Sequence, residues 1–81
     1  MSARRVVARL RIDGMHAVHA ARAVYTAFAG VPGIHRAEVS LGEATVEHDG
    51  TVTREALAEA VALAGCELVE MAEERGGLPV L

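Results

Sequence analysis

Val6, Ala8, Leu10 and Ile12 face one way and Arg9 and Arg11 the other, a period of two that predicts a half-buried strand over 6–12. Asp13-Gly14 breaks it. From about Ala17 to Ala29 the period lengthens: Ala20, Val24, Ala27 and Phe28 recur at three- and four-residue steps, the stripe of an amphipathic helix. Gly30-Val31-Pro32-Gly33 ends that helix, because glycine suits the C-terminal cap and proline cannot extend the turn. Over 34–41 the alternation returns, with Ala37, Val39 and Leu41 opposed to Arg36, Glu38 and Ser40. Gly42-Glu43 reads as a tight connection into a third strand, 44–48, which pairs with the second as a hairpin. Asp49-Gly50 closes it.

Thr53 is the expected N-cap of a second helix whose buried stripe is Leu57, Ala60, Val61 and Ala64, and Gly65 stops it. Residues 67–73 form a last strand of ambiguous facing, since Leu68 and Val69 are both apolar. The domain is expected to span 1–74. Residues 75–81, with Gly76-Gly77 and Pro79, read as a loose tail.

The element order is β-α-β-β-α-β. Two β-α-β halves with right-handed crossovers give an α+β, ferredoxin-like layout: a four-stranded antiparallel sheet with two helices on one face. That layout hosts many activities, so function must come from particular residues.

Composition narrows the choice. Eighty-one residues hold one small core. Only Tyr25 and Phe28 are aromatic, so that core is built from small aliphatic groups, with little bulk for a deep pocket. Net charge is −3, there is no lysine, and no basic stripe accompanies the two aromatics, which argues against nucleic acid. Arg9, Arg11 and Asp13 interrupt the first apolar stretch too early for a signal peptide or a membrane span. A single cysteine, Cys66, allows no internal disulfide and suits a reducing, cytoplasmic setting. No paired carboxylates converge, and no nucleophile–base pair is implied within one site except, loosely, Cys66 with His16 or His19, so no enzyme is expected.

The segment Gly14-Met15-His16-Ala17-Val18-His19-Ala20 resembles the Gly-Met-x-Cys-x-x-Cys metal loop of the heavy-metal-associated domain family, with alanine at both cysteine positions. The resemblance extends from about Val6 to Val69. Arg22-Ala23-Val24 fits the start of the family's first helix, and Val31-Pro32-Gly33-Ile34 its turn into strand two. Ala37-Glu38-Val39-Ser40-Leu41 and Glu43-Ala44-Thr45-Val46 fit the second and third strands. Glu55-Ala56-Leu57 and Ala64-Gly65-Cys66-Glu67 fit the second helix and its exit.

The resemblance implies a small carrier of Cu(I), Zn, Hg or a similar ion, free-standing or fused to a transport ATPase. Its partner would be such an ATPase or another carrier domain, without membrane insertion, and the chain itself a monomer or weak homodimer. In that family two thiolates on an exposed loop hold the ion, stabilised by a helix N-terminus and open to a partner's attack. Methyl groups at Ala17 and Ala20 donate nothing, so this chain is expected to carry a disabled or weakened site, with no ion of its own or one bound through other groups.

His16 and His19, three residues apart, and Cys66, on a loop that lies beside the metal loop in the family fold, are the candidate replacement ligands. The competing reading makes positions 16 and 19 solvent-facing polar residues. Met15 is expected to pack into the core. His35 and His48, at strand ends far from the loop, read as surface residues. Deliberate removal of the site and a degenerate natural relative, kept for its fold or its partner contacts, both account for the two alanines. A metal-independent interaction module on the same fold is the second functional reading.

Overall fold

The computed structural model describes residues 5–75. It contains β1 (Val6–Asp13), α1 (Val18–Ala29), β2 (Ile34–Ser40), β3 (Glu43–His48), α2 (Arg54–Leu63) and β4 (Glu67–Arg75). The sheet order is β2-β3-β1-β4, with every neighbouring pair antiparallel. This is the ferredoxin-like arrangement expected from the element order.

The core forms where the period-two strands meet the helix stripes. Ala8, Leu10, Ile12, Ala44, Val46 and Leu68 come from the sheet; Val24, Phe28, Leu57, Ala60 and Val61 come from the helices, and Met15 and Val52 close the two ends. Burying these aliphatic and aromatic groups is the main stabilising term. Thr53 caps α2 as expected, its side-chain oxygen accepting the Ala56 N–H at 3.1 Å.

Three expectations need correcting. The β2–β3 turn is Leu41-Gly42, not Gly42-Glu43, because Ser40 pairs with Glu43. Gly42 takes φ +83 there, and Leu41 is 54% exposed instead of facing the core. His48 is not a surface residue: it is 1% exposed, the inward-facing successor of Ala44 and Val46 on β3.

The facing of β4 is resolved by an irregularity. Ile12 pairs with Leu68 while Arg11 pairs with Glu70, so Val69 is an extra residue between the two registers. This bulge buries Leu68 and leaves Val69 49% exposed. The strand runs on to Arg75, the first residue assigned to the tail; residues 76–81 lie outside the described part.

Candidate metal loop

β1 ends at Asp13, and Gly14 turns the chain with φ +88, a conformation that favours glycine. A Cβ built at Gly14 would lie 3.6 Å from the Cys66 Cα and 3.8 Å from the Gly65 carbonyl oxygen. The loop after β1 therefore rests on the loop between α2 and β4. Met15 then plunges into the core, as expected, and anchors the loop from below.

Ala17 is the N-cap of α1. Its backbone is extended (φ −144, ψ 161) and its carbonyl accepts N–H groups from Ala20 at 2.9 Å and Ala21 at 3.3 Å. No side chain caps this end, and the first turn holds no acidic residue. The helix thus presents unsatisfied N–H groups and its positive dipole end at the loop, an environment that stabilises an anionic ligand. The side chains at the two positions in question are methyl groups. Ala17 is half-buried, and Ala20 is half-buried against the core.

His16 and His19 are exposed, while Cys66 is half-buried, its thiol directed toward the Ala64 carbonyl at 3.9 Å. The fold brings Cys66 beside the loop through the Gly14 contact. It does not assemble the three donors: among the described residues no group of three or more His, Cys, Asp or Glu side chains is placed to hold a metal ion. His35 is exposed, as expected of a surface residue. On the far side of the sheet a shallow groove runs between Arg9, Arg11, Thr45 and Glu70, with Arg11 tied to Glu70 and Arg9 to Glu74.

What the sequence pattern did not reveal is the apolar rim of this end. Val18 (71% exposed) opens α1 and Leu63 (82%) closes α2. Leu41 belongs to the turn whose Gly42 carbonyl accepts the Ile12 N–H at 2.9 Å, and Val69 stands at the bulge beside Ile12. All four lie toward the end of β1 that leads into the loop, Val18 and Leu63 from the helix layer and Leu41 and Val69 from the sheet. No described helix is long and apolar enough to cross a membrane.

The family model for the heavy-metal-associated domain matches residues 9–67. Among solved structures, the chain is similar to the CopZ metallochaperone, with 27% identity, a TM-score of 0.71 and coverage of 78% of this chain and 98% of that one. It is similar to the N-terminal domain of PacS from Synechocystis PCC6803, with 28% identity, a TM-score of 0.68 and coverage of 79% and 97%. A copper-binding domain from HMA7, a P-type ATPase, gives 26% identity, a TM-score of 0.68 and coverage of 84% and 96%. A search of curated protein sequences gives no match. Matched from β1 to the start of β4, and superposing on these structures over most of its length, the chain belongs to the heavy-metal-associated domain family.

Proposed function

We propose that this chain is a heavy-metal carrier domain, of the metallochaperone or transporter-associated kind, whose ion-binding loop is disabled by Ala17 and Ala20. The observation that carries the reading is a loop with its frame intact and its donors missing. Gly14 makes the turn, Met15 anchors it and Ala17 opens the helix, yet methyl groups stand where the family's two thiolates would. The cargo of the parent site is a soft or borderline ion such as Cu(I), Zn or Hg, and the relative named for copper supports copper among these. The residues present do not fit such a cargo, since two exposed imidazoles and one half-buried thiol do not converge.

Apart from the thioether of Met15, which is buried in the core, His16, His19 and Cys66 are the nitrogen and sulfur side-chain donors of the loop and its neighbour. Any ion they share is held weakly, because the loop must rearrange to close around it. The partner is a metal-transporting ATPase or another carrier domain, in the same compartment as the cytoplasmic carriers of the family.

The test is Cu(I) titration under reductant, and zinc titration, of this chain and of Ala17→Cys/Ala20→Cys. Stoichiometric Cu(I) on the double cysteine form alone supports a disabled carrier. Tight Cu(I) on the unaltered chain would overturn the reading. A second reading, a metal-independent interaction module, is favoured by the exposed rim of Val18, Leu41, Leu63 and Val69. Failure of both forms to bind metal would select it.

A further inference from the structure

Four arginines at the sheet are paired within the molecule, although Asp13, Glu43 and Glu67 are not, and among the described residues no charged side chain of the two helices is paired. Arg5 pairs with Glu47 at 3.6 Å, Arg9 with Glu74 at 3.7 Å, Arg11 with Glu70 at 3.4 Å and Arg36 with Glu38 at 2.8 Å. Among the described residues no ion pair includes Arg22, Glu55 or Glu59. These three sit on the outer surface of the helix layer, all exposed. α1 holds Arg22 and no carboxylate, whereas α2 holds Glu55 and Glu59 against Arg54. The two helices therefore offer surfaces of opposite sign.

Each charged position shares a stripe with exposed apolar groups. On α1, Val18 lies four residues before Arg22 and Tyr25 (51% exposed) three after it. On α2, Leu63 lies four residues after Glu59, and Glu55 four before it. The helices run in opposite directions, because α1 follows β1, α2 follows β3, and β1 and β3 are antiparallel.

We infer that the outer face of the helix layer docks on the same face of a second copy of this chain. A two-fold axis parallel to the helices sets α1 of each copy across from α2 of the other, in antiparallel register. Descending one turn at a time, Val18 then lies level with Leu63, Arg22 with Glu59, and Tyr25 with Glu55, whose carboxylate can accept the phenol O–H. The contact is isologous, so each pairing occurs twice. Charge complementarity selects a second copy as the occupant. Arg22 and the Glu59 that can satisfy it are both present on one molecule, each one turn from an exposed apolar residue, Val18 and Leu63. Helices of this length span about 15–18 Å, so the interface falls at or below about 1,200 Å² in total and the dimer is weak and concentration-dependent. No metal is required.

Sedimentation equilibrium from micromolar to millimolar protein tests this. The unaltered chain should dimerise reversibly, and less so at high salt. Arg22→Glu and Glu59→Arg should each weaken the dimer by about tenfold or more, since each substitution counts twice and turns attraction into repulsion. The two together should restore affinity to within about threefold of the unaltered chain. A monomer at every concentration, a dimer indifferent to both charge reversals, or a double variant no better than the singles would overturn the inference. Should a single variant fail to fold by circular dichroism, concentration-dependent amide shifts of the unaltered chain decide. Shifts at Arg22, Tyr25, Glu59 and Leu63 support the helix face; shifts confined to β2, β4 or the loop end refute it.

Discussion

The imidazole Nε2 of His48, sealed in the core, lies 3.4 Å from the Glu73 carboxylate across the width of β1, without forming a hydrogen bond to it. The other ring nitrogen is satisfied: Nδ1 accepts the Gly50 N–H at 3.1 Å, which puts the ring proton on Nε2. This approach of β3 to β4 lies at the end of the sheet opposite the metal loop. The arrangement is under-satisfied, since an unpaired buried polar atom costs about 1–3 kcal/mol. The ring nevertheless fills core volume that a smaller side chain would leave empty. His48→Ala should destabilise the chain by about 2–4 kcal/mol in urea unfolding, the range for emptying a large buried side chain. A loss under about 1 kcal/mol would mean that the ring's packing is dispensable.

The two helix starts differ, and the difference is measurable. Thr53 caps α2 through its side chain, while Ala17, at the start of α1, has no oxygen to offer. Ala17→Ser should raise stability by about 0.5–1.5 kcal/mol, and Thr53→Ala should lower it by a similar amount. Thermal unfolding of both variants checks the pair. If Ala17→Ser gives no gain, the open N–H groups of α1 are already satisfied by solvent at no cost.

Gly33 is fixed by space as well as by backbone conformation. At φ +94, a Cβ there would come within 2.8 Å of Thr51 Oγ1, 2.9 Å of Asp49 Oδ1 and 3.2 Å of Val52 Cγ2. The Asp49 N–H also donates to the Gly33 carbonyl at 3.0 Å, so the two loops at this end hold each other rigidly. Gly33→Ala should cost about 1–3 kcal/mol, well beyond the ordinary glycine-to-alanine effect. Gly65→Ala makes a useful control, because its φ of +85 is similar but its Cβ position is open. The excess loss at Gly33 reads the steric part.

Asp49 supplies the pH dependence of that same loop. Its Oδ1 accepts the Thr51 hydroxyl at 2.6 Å and the Thr51 N–H at 3.0 Å, and these bonds hold the carboxyl below its ordinary value of 3.8. With the folded value depressed, the stabilisation is present above the unfolded value and is lost as pH falls through the folded one. The Thr51 amide resonance should therefore titrate with a midpoint below 3.8. Asp49→Asn should remove that titration. A midpoint at or above 3.8 would show that the hydrogen bonds are not maintained in solution.

Much of this architecture is legible in the chain, and the exceptions have identifiable causes. Strict alternation in β1 and the helix stripes of Val24–Phe28 and Leu57–Val61 give facing without ambiguity. Leu41 misleads because an apolar residue continues the alternation one step beyond the strand, into a turn where only its neighbour Gly42 has a conformational signature. The Val69 bulge has no local signal, since its cause is the pairing with β1. For His48 the signal existed: the same period that buries Ala44 and Val46 carries it inward, but residue type suggested the surface. At the loop, the resemblance placed Met15 in the core and Cys66 alongside. Convergence of His16, His19 and Cys66 is a matter of side-chain direction, and spacing alone does not determine it.

Restoring the thiols separates the loop's frame from its chemistry. Ala17 and Ala20 are half-buried, the backbone around them is regular, and their carbonyl and amide groups are engaged in the first turn of α1. Exchanging a methyl for a CH2–SH group there adds one sulfur atom at a partly open surface, at a helix-propensity cost of at most about 0.7 kcal/mol per residue. Metal-free Ala17→Cys/Ala20→Cys should therefore unfold within about 1.5 kcal/mol of the unaltered chain, with the same amide pattern in the sheet. Addition of Cu(I) under reductant should then raise its melting temperature in proportion to the logarithm of free ion over Kd, and leave the unaltered chain unmoved. The alternative result is equally informative. If the metal-free double variant is strongly destabilised, the alanines have become part of the core packing through Ala20, and the loop has been refitted for a role that no longer tolerates thiols.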